Sequence, residues 1–132
     1  MTTSPTRGLL DTSVFIASES GRPLDESALP EFAVLSVITL GELWAGVLAA
    51  ADGSARAQRM RTATAAARLT AIPVDASVAQ AWAELRVALA DLGRTLRSND
   101  SWIAATAISL GIPLVTQDGD FDEVPGLRVL RV

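Results

Sequence analysis

The chain has 132 residues, 49% of them hydrophobic, which is enough for one ordinary domain with a real core and too apolar for a disordered segment. Its 15 acids outnumber 11 cations, all of them arginine, and the net charge of -4 is not the footprint of a protein that grips nucleic acid by bulk electrostatics. Cys, His, Tyr and Lys are absent, which removes disulfides, the usual zinc ligand sets, Ser-His-Asp triads, Walker-type lysines and Schiff bases.

Polar chemistry must then come from carboxylates, hydroxyls, arginine or a bound metal. The longest apolar stretches, Ala33 to Leu40 and Trp102 to Ile108, are too short or too interrupted to span a bilayer. Met1 to Arg7 lacks a signal-like apolar core. A soluble cytoplasmic protein with no membrane partner is expected.

In chain order, Arg7 to Leu10 reads as a short apolar strand ending at Asp11, and Thr12 to Glu19 as the start of a helix that Gly21 to Pro23 interrupts. Phe32 to Val37 has the length and β-branched content of a buried strand. Leu40, Leu43, Trp44, Val47 and Leu48 then fall at helical spacing within Ile38 to Ala50. After a break at Asp52-Gly53, the alanine- and arginine-rich stretch Ala55 to Leu69 predicts a helix. Its Arg56, Arg59, Arg61 and Arg68 form either a solvated face or a surface for phosphates.

Ala71 to Val74 predicts a short strand that Pro73 confines to an edge or an end. Asp75 caps a helix with the stripe Val78, Trp82, Leu85, Leu89 and Leu92, closed by Gly93. Ser98 is expected to cap the next helix, which turns Trp102, Ile103 and Ile108 inward and stops at Gly111. Ile112 to Thr116 and Leu127 to Val132 complete the strands. Trp44, Trp82 and Trp102 are expected in the core, because each lies on an apolar helical stripe. With no repeat or linker, residues 1–132 read as a single domain. Alternating strands and helices predict an α/β fold with a mainly parallel central sheet of about four to five strands covered on both faces.

In an open parallel sheet the functional crevice lies at the carboxyl ends of the strands, and four acids fall there. Asp11 follows the first strand and Glu42 lies near the start of the helix that leaves the second. Asp118 lies two residues beyond Thr116, and Asp100 begins the helix that runs back into that strand. Each alone has a simpler role as a helix cap, dipole partner or turn residue. Together, with no Lys or His to neutralise them, they would repel one another, and a hard divalent cation is their natural partner. Thr12, Ser13, Ser98, Asn99 and Thr116 surround them as caps or as groups that orient ligands and water.

These residues resemble a known family. Leu10-Asp11-Thr12-Ser13, Glu42 within Thr39-Leu40-Gly41-Glu42-Leu43, Asn99-Asp100 leading into Trp102-Ile103-Ala104-Ala105, and Thr116-Gln117-Asp118-Gly119-Asp120-Phe121 are similar to the signatures of PIN-domain nucleases, above all the VapC-type toxins of bacterial toxin-antitoxin pairs. The similarity runs from Gly8 to the last strand. It implies an Mg2+-dependent endoribonuclease, with Mn2+ able to substitute, that hydrolyses RNA through metal-activated water. It also implies a homodimer silenced by a cognate VapB-like antitoxin.

The resemblance assigns catalysis to Asp11, Glu42, Asp100 and Asp118, and metal binding to these four with Asp120. Ser13 matches the polar residue the family carries near the first acid, and Thr12, Asn99 and Thr116 are the supporting polar groups. The expected dimer face includes Ile38 to Leu69, and an antitoxin tail is expected over the acidic cleft. The alternatives are a PIN-like nuclease outside a toxin-antitoxin pair, or an acidic cleft that binds a basic peptide without catalysis. Receiver-like phosphoryl transfer, which also places Asp at strand ends, depends on a Lys that is absent.

Overall fold

A computed structural model describes residues 6–132, so Met1 to Pro5 of the N-terminal stretch lie outside the described residues. The elements are β1 (Arg7–Leu10), α1 (Thr12–Ser20), β2 (Phe32–Ser36), α2 (Val37–Leu48), α3 (Gly53–Ala66), β3 (Thr70–Ile72), α4 (Ala76–Asp91), α5 (Ser98–Leu110), β4 (Leu114–Thr116) and β5 (Val129–Arg131), with 3-10 turns at Glu26–Ala28 and Gly119–Phe121. The strands form one parallel five-stranded sheet in the order β3-β2-β1-β4-β5. The α/β fold with a parallel central sheet is therefore as expected. Among the described residues no helix is long and apolar enough to cross a membrane.

Both faces of the sheet are covered because its strands carry apolar residues on both sides, as parallel strands do. Leu9, Leu114 and the partly buried Val34 and Ile72 face α4 and α5, where Leu85, Leu89, Ile103, Ala104 and Ala107 meet them. On the opposite face Leu10 and Val115 pack against Val14 of α1. Leu35 packs there against Leu43 and Val47 of α2 and Ala63 and Ala66 of α3. Small residues on α3 let it approach closely, and the Arg59 guanidinium donates 2.7 Å to the Gly46 carbonyl, tying α3 to α2. In β1, a Cβ on Gly8 would come within 2.9 Å of both the Pro30 and Val115 side chains, so glycine is what allows these neighbours to close on the strand.

Several boundaries move for identifiable reasons. β2 ends at Ser36 rather than Val37, because the Ser36 hydroxyl accepts the Ile38 amide at 3.0 Å and caps α2. The expected break at Asp52-Gly53 is itself a helix start, with Asp52 accepting the Ala55 amide at 2.8 Å. Ser98 does not cap α5. Arg97 occupies the cap position without a side-chain bond, and Ser98 is the first helical residue.

The apolar stripes also overreach. Leu48 and Leu92 lie at or beyond helix ends and are exposed, and Trp44 is 39% exposed rather than in the core. Trp82 and Trp102 are half-buried, stacked on each other with ring centroids 4.4 Å apart. β3 is an edge strand directly before Pro73, where a residue without an N–H is tolerated.

Candidate active site

The strand order reverses at β1, whose chain continues into β2 on one side while β4 pairs on the other. A crevice opens at such a reversal, outside the carboxyl ends of the two strands. Asp11 and Asp118 follow β1 and β4 into it, and the Asp11 amide bonds the Val115 carbonyl at 2.8 Å, holding the two strand ends together. α5 runs antiparallel to the strands, so its first turn brings Asp100 to the same edge. α2 leaves β2 there with Glu42 in its second turn.

Asp11 is buried, and its burial is compensated on one oxygen. Its Oδ2 accepts the Ser13 hydroxyl at 2.8 Å, the Thr116 hydroxyl at 2.9 Å and the Ser13 amide at 3.4 Å. Each hydroxyl has one proton, and both are used on Asp11. Their lone pairs then accept backbone amides: Gln117 N–H reaches Ser13 Oγ at 3.0 Å and Asp118 N–H reaches Thr116 Oγ1 at 2.9 Å. This chain of bonds couples the end of β1 to the turn after β4, so Ser13 and Thr116 orient Asp11 and Asp118 together. A parallel arrangement serves Glu42, whose Oε1 accepts the Thr12 hydroxyl at 2.7 Å, with Thr39 Oγ1 3.0 Å from Thr12.

Asp100, Asp118 and Asp120 form the tight group. One carboxylate oxygen from each lies within 4.8 Å of the others, and no other such group of three occurs among the described residues. Asp11 and Glu42 stand outside that spacing but act on the group electrically. Burial, followed by the Asp11, Asp118 and Glu42 carboxylates, pushes the Asp100 carboxyl from 3.8 up to about 6, against an opposing pull from Arg97. The only ion pair among the described residues joins Arg131 to Asp122, so no guanidinium is ion-paired with the trio, and Arg97 acts on Asp100 only from a distance. Three hard oxygen donors crowded without an ion-paired counter-charge fit a divalent cation.

Asp118 is half-buried and Asp120 exposed, and the Asp120 amide bonds the Asp118 carboxylate at 2.9 Å, so Asp118 is also the cap of the Gly119–Phe121 turn. Asn99 is exposed on the first turn of α5 and makes no hydrogen bond to any of these acids. The basic stretch on α3 leads away from the trio, except that Arg59 lines a cavity of about 300 Å3 with Glu42 and Gly46.

Two features of the site escaped the sequence. Thr39 enters the Glu42 network from the preceding turn of the same helix, a spacing of three that could have flagged it. The segment 117–123 is held by two arginines distant in sequence. Arg131 donates to the Gln117 carbonyl at 3.0 Å, and Arg94 donates to the Asp122 and Glu123 carbonyls at 3.1 and 3.0 Å. Glu123 takes a positive φ of 56° there, which non-glycine residues seldom adopt. No sequence signal announces that clamp.

A family model described as PIN domain matches residues 8–127. Ribonuclease VapC5 of Mycobacterium tuberculosis is 50% identical over 135 aligned positions, covering all of both chains. Ribonuclease VapC4 of the same organism is 43% identical, covering 96% of this chain and 97% of that one. Among solved structures, a member of the VapBC family of toxin-antitoxin systems, VapBC-5 from Mycobacterium tuberculosis, superposes with a TM-score of 0.89 at 46% identity, over 97% of this chain and 100% of the other.

Proposed function

The chain belongs to the PIN-domain family, and from that premise we propose that it is the metal-dependent endoribonuclease toxin of a VapBC-type toxin-antitoxin pair, acting in the cytoplasm. The observation that carries this reading is the carboxylate trio, without an ion-pair partner, at the strand-end crevice, in a chain similar over its whole length to a ribonuclease. Asp100, Asp118 and Asp120 hold the cation, Mg2+ or Mn2+, with Asp11 beside them. The bound cation supplies Lewis acidity toward water and phosphate.

The chain's own groups do the rest. Glu42 keeps one oxygen on Thr12 and offers the other to the attacking water, accepting its proton. Asp11 keeps Oδ2 on Ser13 and Thr116, which leaves Oδ1 to face the crevice. In-line attack forms a new oxygen–phosphorus bond and breaks the bond to the 3′ oxygen, which takes up a proton, leaving a 5′-phosphate and a 3′-hydroxyl. A VapB-like antitoxin silences the enzyme by covering the acidic cleft. A homodimer face on α2 and α3 is supported by the exposed Trp44, Leu48 and Met60. Cut-site mapping across total RNA after brief induction tests the function. New 5′-phosphate ends at a restricted set of sites are expected, and an RNA pool indistinguishable from that of an uninduced culture would sink the proposal.

Asp118 and Asp120 divide the metal between them by depth. Asp118 is half-buried and fixed by the Thr116 hydroxyl, whereas Asp120 is exposed on the far side of Gly119. Loss of a direct ligand lowers the maximal rate at any metal concentration, and loss of an outer one raises the metal required, by about 10- to 100-fold. Asp118→Asn is therefore expected to stay nearly inactive in a manganese titration and Asp120→Asn to be partly rescued. The opposite pattern would make Asp120 the principal ligand, and unrescued loss in both would indicate two ions bridged by the pair.

A further inference from the structure

Beside the acid trio lies a cavity of about 500 Å3, lined by Arg94, Thr95, Leu96, Arg97, Asp100, Gly119 and Asp120. Arg94, Thr95 and Leu96 also line a second cavity of about 450 Å3, between α4 and the start of α5. The two share those three lining residues and adjoin, forming a groove that leads away from the acids. Its chemistry changes along the way. The near end carries carboxylates, whereas the far end is lined by Trp82, Arg86, Leu89, Arg94, Ser98 and Ser101 among others, with two arginines and no acid. In a chain of net charge -4, an acid-free pocket with two guanidiniums is a local reversal of sign.

Arg86 is built into that pocket rather than waving above it. Its guanidinium carbon sits 4.9 Å from the centroid of Trp82, whose ring stacks at an interplanar angle of 2° on Trp102 and whose indole N–H donates 3.1 Å to Ser101 Oγ. The Trp pair is thus locked by stacking and a hydrogen bond, and it presents one indole face on which the guanidinium lies. A guanidinium held there loses little further freedom on binding, and its N–H edge remains available for phosphate oxygens. Arg94 is committed to the Asp122 and Glu123 carbonyls, so Arg86 and Arg97 are the groove's cations that make no hydrogen bond among the described residues.

We propose that this groove is the track for the RNA strand flanking the scissile phosphate, with Arg86 on its Trp82 platform binding a backbone phosphate beyond the acids and Arg97 binding one nearer to them. The inference rests on the ribonuclease reading and adds the substrate's path. RNA is favoured over an acidic peptide because the near end of the same groove holds Asp100 and Asp120. A backbone phosphate held at Arg86 lies on the same strand as a phosphodiester presented to the cation that the acids would hold, a continuity that an acidic peptide does not have. Thr95 and Ser98 supply hydroxyl partners for ribose along the wall, and the partly buried Leu96 supplies apolar surface for bases.

The test is binding of a fluorescein-labelled, mixed-sequence 12-nucleotide RNA, followed by anisotropy in manganese. The protein is the full chain carrying Glu42→Gln, which keeps the Asp100, Asp118 and Asp120 trio and removes the group that takes the proton from the attacking water. Adding Arg86→Ala is expected to weaken binding about tenfold and to reduce the slope of log K against log salt by about 0.7, the value for one phosphate contact on a single strand. Arg86→Lys should restore the slope but only part of the affinity, because a lysine keeps the charge and loses the planar fork. Arg56→Ala, on the α3 face away from the groove, should bind like its parent.

Equal affinity and slope for Arg86→Ala and its parent would overturn the proposal, as would competition by polyglutamate that depends on Arg86 while RNA binding does not. Failure of the Glu42→Gln parent to bind RNA would overturn it too. A native chain that cuts no RNA, while the parent binds it through Arg86, would instead remove the catalytic reading and keep the groove.

Discussion

Asp100→Asn is expected to lower RNA cleavage by about a thousandfold or more while making the metal-free protein more stable near neutral pH. The loss follows from the place of Asp100 at the centre of the acids, within 4.8 Å of Asp118 and Asp120 and under the influence of Asp11 and Glu42. The gain follows from the same place. Burial and three like charges hold the Asp100 carboxyl at about 6 instead of 3.8. Between those values the folded chain binds more protons than the unfolded one, so the stability present below pH 3.8 is lost as pH rises through about 6.

An amide does not titrate. The thermal midpoint of the metal-free variant should therefore exceed that of the native chain at pH 7 to 8, and the difference should narrow toward pH 4. A variant that cleaves at the native rate removes Asp100 from the metal site. One that is less stable than native at pH 8 contradicts the repulsion.

Stripping the metal is expected to abolish cleavage, and returning manganese or magnesium to restore it. Nothing else in a chain without His, Lys or Cys can activate water strongly near neutral pH. The same ions should stabilise the fold, since they bind the assembled trio and not the separated acids of the unfolded chain. One site at a hundred times its dissociation constant contributes about 2.7 kcal/mol. That increment should shrink between pH 7 and pH 5, as Asp100 takes up the proton that competes with the cation, and should be small in Asp100→Asn. Cleavage undiminished in excess chelator after metal stripping, or a melting temperature indifferent to manganese at pH 7, would rule out the cation's role.

The two effects share an origin. The acids are costly to the fold in one state and useful in the other. Natural proteins tolerate such cost at sites where it is repaid on binding. Here the cost is concentrated on Asp100, because Asp11 has three donors on Oδ2 and Glu42 has Thr12, whereas no hydrogen bond reaches the Asp100 carboxylate among the described residues.

Local chemistry written in the sequence determined the elements and the edge on which the acids lie. β1 is short, apolar and ended by Asp11, and Asp75 before a period-3.6 stripe starts α4 where a capping carboxylate must. A parallel α/β arrangement puts strand-following acids on one edge, so Asp11 and Asp118 could be placed there by counting alone. Distances across that edge were decided by the tertiary structure. The order β3-β2-β1-β4-β5 sets β1 beside β4, and the 117–123 turn, clamped by Arg94 and Arg131, swings Asp120 into the trio with Asp100 and Asp118 while Asp11 and Glu42 stay outside it. The inward placement of Trp44, Leu48 and Leu92 failed for a related reason: periodicity states which face of a helix is apolar, but only packing states where the neighbour ends and water begins. The Arg86, Trp82 and Trp102 stack joins two helices, so the platform it makes exists only once α4 and α5 have docked.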